Sequence, residues 1–267
     1  MPPLDALGAP RRVAGDDRLT PGTPKRPALV VAAPPPGVPF ALHDRSLLQP
    51  SVPSYLKNVY TWAYLLPTSV WLLDRPSVVN TILWGNYRRL MRAALAEICP
   101  GQRVYQPACV YGDFSQRVAE ALGPDGHLDV GDVAPVQAEN CRRKLSKCSN
   151  ARVHLWDAAD KCPGVYDVVC CFFLLHEIPE AYKHRVVDAL LEAVSPGGKV
   201  VFVDYHGPHW AHPLKWVMRF INDTLEPFAK ALWVNEIASY ACRAEEFSWS
   251  KQTYFGGLYQ KVVAERR

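Results

Sequence analysis

The sequence contains no hydrophobic run long enough to cross a lipid bilayer. Its longest unbroken apolar stretch, residues 168–175, has eight residues, whereas a membrane-spanning helix needs about 20. The chain also lacks a large excess of either charge, because 30 basic residues are nearly balanced by 26 acidic ones and the formal net charge is +4. Without a concentrated basic stripe, this balance argues against a nucleic-acid partner. We therefore expect neither a transmembrane helix nor a nucleic-acid-binding surface.

Paired cysteine motifs are missing as well. The chain has eight cysteines but no C-x-x-C pair, and several of them lie inside apolar runs. Zinc sites need ligand pairs at set spacings, and that spacing is absent. The first residues also lack the apolar stretch of a secretory signal. We expect reduced, buried thiols and a reducing, cytoplasmic environment.

Proline is concentrated at the beginning of the chain, where 12 of the 24 prolines precede residue 54. Such a segment has few backbone donors and little apolar surface, so it does not fold by itself. We expect residues 1–50 to form a disordered leader and residues 51–267 to form one folded domain. Five basic residues among the first 26 suit a mitochondrial targeting segment, while three acidic residues weaken that interpretation. An undirected tail and a targeting segment both stay open.

Helical periodicity follows the leader. Apolar residues recur at helical spacing from Val78 to Ile98, which predicts one helix. Asp74 before Arg75-Pro76 is typical of a helix start, and Pro100-Gly101 of a helix end. An aromatic cluster precedes this helix, and it either packs in the core or forms one wall of a flat, apolar ligand site. Its members are Tyr55, Tyr60, Trp62, Tyr64 and Trp71.

Strands and helices alternate from residue 102 onward, which predicts a mostly parallel sheet with helices on both faces, a three-layer α/β sandwich. The predicted strands are 103–106, 127–133, 151–156, 166–175 and 199–205, and the predicted helices are 115–122, 135–145 and 182–194. We divide the domain into N-terminal helices (51–101), a core (102–206), and lid helices with a sheet edge (207–267). Pro213 and Pro227 are candidate helix starts, and alternation over 247–263 predicts a strand pair. Ligands of such sheets bind at the carboxyl ends of the strands.

Acidic residues stand at two of these strand ends. Asp132 ends the second strand, where a carboxylate can accept both hydroxyls of a ribose. Asp157 ends the third strand, where it can accept from an adenine amino group. With F-F-L-L-H-E-I-P and P-G-G-K-V-V-F-V-D after them, these features resemble the class I S-adenosylmethionine-dependent methyltransferase (Rossmann-like) fold over about residues 85–205. The resemblance implies that Val133, Ala158 and Phe173 also contact S-adenosylmethionine.

The loop after the first strand departs from that fold's usual V-L-E-V-G-C-G-T-G-D pattern, because here it is V-Y-Q-P-A-C-V-Y-G-D. Gln106 replaces the acidic residue, Ala108 and Val110 replace two glycines, and Gly112 is kept. A β-carbon forbids conformations that glycine allows, and Val110 is β-branched and stiff. The loop lies beside the amino-acid end of the cofactor. We expect a conventional nucleoside pocket and a rebuilt methionine end, which also includes Tyr111 and Asp113; a decayed, non-catalytic fold is the alternative.

Six segments together resemble the rhodoquinone biosynthesis protein family, over about residues 55–264. They are V-Y-Q-P-A-C-V-Y-G-D-F-S, I-L-W-G-N-Y-R-R-L, D-V-A-P-V-Q, C-F-F-L-L-H-E-I-P, V-D-Y-H and F-G-G-L-Y-Q-K. The resemblance implies conversion of ubiquinone to rhodoquinone, in which an amino group from S-adenosylmethionine replaces a ring methoxy group. It also implies help from a divalent ion such as manganese. Such an enzyme would act at the inner membrane, on the matrix side in a mitochondrion.

This chemistry needs one general base and one group that polarises the quinone carbonyl. His176 and Glu177 leave the fourth strand and are the candidates for base and orienter, although His176 also suits a purely structural role. Asp204 and His206 leave the fifth strand nearby. Tyr111 either hydrogen-bonds the methionine moiety or fills the space of the lost glycines. Some carboxylates could bind the metal, but no spacing identifies which.

Other functions stay open at this point. A true methyltransferase acting on a quinone or another lipid is the main alternative, and a cofactor-binding regulator without turnover is a third possibility. The aromatic residues 55–71 and the Trp-rich stretch 210–233 either dock on a membrane surface without crossing it or form an ordinary lid. The oligomeric state is not determined by the sequence.

Overall fold

The structure, a computed structural model, describes residues 52–65, 67–162 and 164–267, and the predicted leader lies outside these residues. The described part of the chain begins with short helical segments. They are α1 (Ser54–Val59), a π-helical turn (Thr61–Leu65), α2 (Pro67–Leu73), α3 (Pro76–Ile82) and α4 (Tyr87–Leu95). None of the helices in the described part of the chain has both the length and the apolar composition to span a bilayer.

A seven-stranded sheet forms the middle layer, with strand order β3-β2-β1-β4-β5-β7-β6. Its strands are β1 (Arg103–Gln106), β2 (His127–Asp132), β3 (Ala151–Leu155), β4 (Tyr166–Phe172), β5 (Val194–Tyr205), β6 (Phe247–Tyr254) and β7 (Tyr259–Arg266). The first five strands are parallel, and β7 runs antiparallel to both β5 and β6. The predicted parallel sheet and C-terminal strand pair are therefore confirmed. The strand order reverses between β1 and β4, and such a switch point is where open α/β sheets bind ligands.

Helices cover both faces of the sheet and complete the three layers. They are α5 (Phe114–Leu122), α6 (Pro135–Lys144), α7 (Glu180–Glu192), α8 (Lys215–Thr224) and α9 (Ala231–Val234), with 3₁₀ turns at Leu175–Glu177, Ile237–Tyr240 and Ala244–Glu246. Helices α4, α5 and α6 pack into one apolar core with Val104, Leu128 and Val168. Helix α7 packs into a second core with Val169, Val200 and Phe202. Successive strand residues thus serve opposite cores, as the two-residue period of a strand requires.

The prediction of a single helix up to Ile98 is wrong, because the helix is interrupted between α3 and α4. Trp84 and Gly85 adopt φ angles of 52° and 80°, which a right-handed helix does not contain. The side-chain amide of Asn86 donates to the carbonyl oxygens of Leu83 and Trp84 at 3.2 and 3.0 Å. These two carbonyl groups follow α3 and would otherwise lack a hydrogen-bond donor from the helix. Asp74 does not cap α3 either, since Arg75 occupies the N-cap position without a side-chain bond.

The predicted fourth strand is three residues too long. Strand β4 ends at Phe172, because Phe173 turns into the left-handed region with a φ of 53°. The 3₁₀ turn Leu175–Glu177 follows at once. This sharp exit brings His176 and Glu177 over the carboxyl ends of the strands, whereas a longer strand would carry them past that edge.

All eight cysteines are free thiols, in agreement with the absence of a disulfide framework. Five of them are buried, and Cys99 and Cys242 are exposed. The expectation of buried thiols therefore holds for five cysteines, while Cys148 is half-buried and these two are exposed.

Candidate active site

A cavity of about 430 Å³ lies at the carboxyl ends of the central strands. Its walls come from the ends of β2, β3 and β4, the loop after β1, the N-terminal helical segments and α8. Aromatic and aliphatic side chains line most of it, with a few polar groups among them. This size and this composition are those of a site for a small organic ligand.

Two carboxylates face the cavity where the sequence places them. Asp132 is 8% exposed, and its two oxygens accept hydrogen bonds from the Cys109 and Ala134 amides at 2.9 and 2.8 Å. Each carboxylate oxygen has a further lone pair available for a ligand hydroxyl. Burial raises the pKa of Asp132 to about 6. Asp157 accepts from the Ala159 amide at 2.9 Å, and burial raises its pKa as well.

Val133 and Ala158, which follow these carboxylates, also line the cavity, as does Phe173. The structure therefore brings together the two carboxylates predicted to bind the nucleoside and three residues that the resemblance assigns to the cofactor. The ring of Phe173 packs edge-on against His176, with ring centroids 5.8 Å apart. The residues predicted to bind the cofactor and the candidate catalytic residues His176 and Glu177 therefore line the same cavity.

The loop after β1 is held by a buried ion pair. Asp74 accepts hydrogen bonds from the Gly112 amide at 2.9 Å and from Lys144 Nζ at 2.7 Å. Lys144 Nζ also donates to the carbonyl oxygens of Val110 and Gly112, each at 2.9 Å. The side chains of Asp74 and Lys144 are only 7% and 11% exposed. Side chains from α2–α3 and α6 thus fix the conformation of a loop that has lost two of its glycines.

Gly112 is the one loop position where glycine is required. Its φ is 85°, and an added β-carbon would lie 2.6 Å from the hydroxyl oxygen of Tyr87. That hydroxyl accepts from the Asp113 amide at 3.0 Å and donates to the Asp113 carboxylate at 3.1 Å. Asp113 also pairs with Arg117 at 3.0 Å. Gly112 and Asp113 therefore shape the loop from outside and are not among the cavity-lining residues.

We expect Asp74→Ala to destabilise the fold by about 3–5 kcal/mol, the cost of leaving one partner of a buried ion pair alone. The loss should appear as a lower midpoint of urea unfolding followed by circular dichroism. The matched control is Glu139→Ala, because Glu139 forms an exposed pair with Arg142, and such pairs contribute about 0–1 kcal/mol. Equal midpoints for the two variants would show that the ion pair does not hold the loop.

Gln106 and Tyr111 fasten the loop at two further points. Gln106 is fully buried, does not line the cavity, and donates to the Ala108 carbonyl at 2.6 Å. Tyr111 lines the cavity, but its hydroxyl donates to the Ala63 carbonyl at 2.5 Å and accepts from Gln137 at 2.9 Å. Its ring stacks on Tyr64 with centroids 5.4 Å apart. Because the hydroxyl has already donated its only proton, the geometry favours a tethering role for Tyr111.

His176 and Glu177 lie side by side in the cavity wall. His176 Nε2 is 3.6 Å from a carboxylate oxygen of Glu177, and His176 Nδ1 is 2.9 Å from Asp204, outside hydrogen-bond alignment. Asp204 is buried behind them and accepts from the amides of Leu175 and His176 at 2.8 and 3.3 Å. The Tyr64 hydroxyl donates to Glu177. Asp204 therefore positions the turn that carries His176 and Glu177, without lining the cavity itself.

The protonation states differ from the roles that the sequence suggests. Burial alone would lower the pKa of His176, but the Asp204 carboxylate beside it raises this pKa to about 9. Burial raises the pKa of Glu177 to about 8, despite the opposing effect of His176. This shift favours the protonated form of His176 at neutral pH, and an imidazolium can stabilise developing negative charge. A pKa of about 8 places the proton exchange of Glu177 within about one pH unit of neutrality, the range that suits a general base.

Glu226 is a residue of the site that no sequence pattern indicated. It follows α8, lines the cavity and accepts from the Tyr60 hydroxyl at 2.7 Å. Burial raises the pKa of this carboxyl group. Glu226 lies outside the alternating core and belongs to no motif, so only the packing of α8 over the strand ends brings it here.

His206 is separated from the cavity. Its Nδ1 is 2.8 Å from the Gly257 carbonyl oxygen, and its amide donates to Leu258 at 2.8 Å. After β5 the chain stays bonded to the turn before β7, so this imidazole contacts that turn. Tyr205, the last residue of β5, lines the cavity, whereas His206, the next residue, does not. The structure gives no support to a catalytic role for His206.

The donors in the described residues do not fit a manganese site. Among these residues, no group of three or more His, Cys, Asp or Glu side chains is arranged to hold a metal ion. The carboxylates nearest His176 already have partners: Asp204 bonds to backbone amides, Glu177 to Tyr64, and Glu226 to Tyr60. The chemistry that follows therefore uses side chains alone.

The strand order, the carboxylates after β2 and β3 and the cavity above them define the class I methyltransferase fold. A methyltransferase domain model matches residues 108–200. The O-methyltransferase family protein from Burkholderia thailandensis has the same fold, with a TM-score of 0.56 at 13% identity over 72% of this chain and 59% of that one. The S-adenosylmethionine-dependent methyltransferase from Aquifex aeolicus has a TM-score of 0.50 at 15% identity, over 76% and 99%.

The particular relatives are proteins named for quinone biosynthesis. The ubiquinone/menaquinone biosynthesis C-methyltransferase UbiE of Ectopseudomonas mendocina is 28% identical over 180 residues, 63% of this chain and 68% of that protein. The ubiquinone biosynthesis O-methyltransferase of Methylococcus capsulatus is 24% identical over 147 residues, 53% of this chain and 61% of that protein. The similarity thus spans about two thirds of the length of these relatives.

Proposed function

We propose that this chain binds S-adenosylmethionine in the cavity and uses it as the amino donor that converts ubiquinone to rhodoquinone. The observation that carries the proposal is the contrast between the two halves of the cavity. The carboxylates for a nucleoside, Asp132 and Asp157, stand at their strand ends. The loop beside the amino-acid end is instead built from bulkier residues and fixed by Asp74 and Lys144.

The residues present fit S-adenosylmethionine. Asp132 has acceptor capacity for ribose hydroxyls, and Asp157 has it for an adenine amino group. The names of the relatives support a substrate of the quinone class, since both act in ubiquinone biosynthesis. The aromatic wall of Tyr55 and Tyr64 provides a flat apolar surface of the kind on which a quinone ring packs.

The side chains supply the two functions that amination needs. A donor ammonium group must lose a proton before its nitrogen can attack the ring, and Glu177 is the group that takes this proton. Protonated His176 stabilises the negative charge that develops on the quinone oxygen. One carbon–nitrogen bond forms and the carbon–oxygen bond to methoxy breaks; of the two protons that the nitrogen loses, one leaves with methoxide as methanol and the other goes to solvent. The donor's own carbon–nitrogen bond then breaks by elimination: its electron pair stays on the nitrogen, which takes up a proton from the donor's β-carbon, and the donor leaves as an α,β-unsaturated acid. A primary amine stays on the ring, and no oxidant or reductant is needed.

The experiment is an incubation of the purified protein with ubiquinone and S-adenosylmethionine labelled with nitrogen-15 at its amino group, with and without added manganese. Mass spectrometry of the extracted quinones should show one nitrogen-15 in a primary amine on the ring and one methoxy group fewer. This product reports both formation of the new bond and cleavage of the donor bond. A methylated quinone together with S-adenosylhomocysteine would overturn the amination proposal.

That second outcome is the other candidate function, a methyltransferase acting on a quinone or another lipid. It is favoured by the match to a methyltransferase domain and by the names of the relatives. The altered loop after β1 favours amination, because methyl transfer does not require a changed binding site for the amino-acid end of the cofactor. Binding of the cofactor without any product would instead indicate a regulator.

We expect Asp132→Ala to weaken S-adenosylmethionine binding by about 1–3 kcal/mol, the loss of hydrogen bonds to a charged group. This loss corresponds to about a 5- to 150-fold higher Kd in a calorimetric titration. The matched control is Asp113→Ala, which removes a carboxylate outside the cavity and should leave the Kd much closer to that of the wild type. An unchanged Kd for Asp132→Ala would mean that the ribose lies elsewhere.

A further inference from the structure

The cavity opens to solvent between the α3–α4 corner and the end of α8. Four of its lining residues are exposed, and they mark this opening: Thr81, Ile82, Trp84 and Leu225. Ile82, Trp84 and Leu225 are 50%, 38% and 46% exposed. The polar groups lie at the other end, where His176 and Asp132 are buried at the strand ends. The cavity therefore runs from an apolar entrance to a polar interior.

Helix α8 has apolar side chains on two opposite sides. Met218 and Ile221 line the cavity, whereas Trp216 and Phe220 point away from it and are 72% and 69% exposed. Trp210, shortly before the helix, is 79% exposed. A surface helix of a soluble protein normally has a polar outer face, and a contiguous exposed apolar patch marks an interaction site.

The helical segments α2–α4, which supply the other side of the opening, combine exposed aromatic residues with positive charge. Residues 75–96 contain four arginines and no acidic residue, and Arg75, Arg88, Arg89 and Arg92 are all exposed. In α2, Trp71 is 62% exposed, with the Arg75 guanidinium 4.4 Å from its ring centroid. On α8, Arg219 lies over Trp216 at 5.9 Å. Tryptophans paired with cations are typical of surfaces at the membrane–water interface.

We propose that α2–α4 and the outer face of α8 form a surface that docks on an anionic lipid bilayer. Docking would set the entrance marked by Ile82, Trp84 and Leu225 against the acyl chains. A quinone ring could then reach His176 while its isoprenoid tail stays in lipid. The tail's path rests on the proposed function, but the docking itself does not.

The charge pattern favours a bilayer over a second copy of this chain. In a two-fold dimer the same patch would face itself, and the four arginines of residues 75–96 together with Arg219 would outnumber Asp223, the one acidic residue of α8, which already pairs with Lys230. Anionic head groups instead supply the missing negative charge. The exposed Trp216 and Phe220 would insert at the level of the acyl boundary, as in amphipathic helices that lie in the interface.

The test is sedimentation of the full chain with vesicles of phosphatidylcholine alone and of phosphatidylcholine mixed with phosphatidylglycerol. The wild type should bind the mixed vesicles more tightly. The double variant W216S/F220S should reduce this binding at least about tenfold, because two large apolar side chains no longer insert. The control V165S removes another exposed apolar residue, 54% exposed and at the opposite end of the sheet, and should bind like the wild type.

A second pair of variants tests the charge. R88Q/R92Q should weaken binding to the anionic vesicles by about fivefold for each arginine removed, and should not change binding to phosphatidylcholine. The charge-matched control K147Q/R152Q removes two exposed basic residues, one in the turn after α6 and one in β3, and should have a much smaller effect.

Three results would overturn the docking proposal: no binding of the wild type to anionic vesicles, unchanged binding of W216S/F220S, or a wild-type dimer that this variant converts to a monomer. Failure of the proposed function is distinguishable from these. If docking is correct, W216S/F220S should keep its S-adenosylmethionine Kd and its turnover of a short-tailed quinone in solution. Vesicle binding without any aminated product would contradict the proposed function alone.

Discussion

Glu177→Gln is expected to lower the rate of quinone amination by about 10²–10⁴-fold, the contribution of a general base. The substitution keeps the size of the side chain and an acceptor for Tyr64, but removes the group that takes the proton. Because Glu177 lies on the His176 side of the cavity and not at the two strand-end carboxylates, the Kd for S-adenosylmethionine should stay near that of the wild type. Single-turnover rates and calorimetric titration measure the two quantities separately.

The pH dependence gives a sharper form of this prediction. The base must be deprotonated, so activity should rise as pH increases through the Glu177 pKa of about 8. The cation must stay protonated, so activity should fall as pH increases through the His176 pKa of about 9. The wild type should therefore show a narrow bell-shaped profile. Glu177→Gln should lose the rising limb.

The matched control is Glu226→Gln, a change to the other cavity carboxylate that also accepts from a tyrosine. It should keep the rising limb and lose much less activity than Glu177→Gln. The opposite ranking of the two variants would make Glu226 the base and contradict the assignment of Glu177.

His176→Gln is expected to lower the rate by about 10²–10³-fold, the effect of removing one donor that stabilises developing negative charge. It should also remove the falling limb of the pH profile. The control is His206→Gln, because His206 contacts the turn before β7 and does not line the cavity. Equal losses in the two histidine variants would show that the rate change reflects the fold and not the site.

The same substitution should change the pH dependence of stability. The folded pKa of His176, about 9, lies above the usual histidine value of 6.5. Its contribution to stability is therefore fully present below pH 6.5 and is lost as pH rises through about 9. His176→Gln should make this decrease in the free energy of unfolding smaller, measured by urea denaturation at several pH values. Part of the decrease should remain, because Glu177, whose pKa is also raised, still loses its proton in this range. An unchanged decrease in the variant would assign the proton to another group.

The sequence predicted the core of the fold because its signals are local. Buried strands such as β4 need continuous apolar residues, and the turns between elements need Pro and Gly. Asp132 and Asp157 were found in the same way, since parallel strands bring their carboxyl ends to one edge of the sheet whatever the rest of the chain does. The missing glycines of the loop at 107–113 were equally visible.

Other features depended on contacts between distant parts of the chain. The periodic pattern of residues 76–98 continues through Trp84 and Gly85, so it could not show that the helix breaks there. Asp74 has the sequence context of a helix start, but its partner is Lys144, 70 residues away. Glu226 reaches the site only because α8 packs over the strand ends.

By itself, then, the sequence determined the order of strands and helices, the acidic strand ends and the altered loop, because each depends on residues close together in the chain. The tertiary structure decided which groups share the cavity and which of them is charged. The Asp204 carboxylate raises the pKa of His176 against the effect of burial, and burial raises the pKa of Glu177. These are properties of the space around a side chain, and neighbouring residues in the sequence do not specify them.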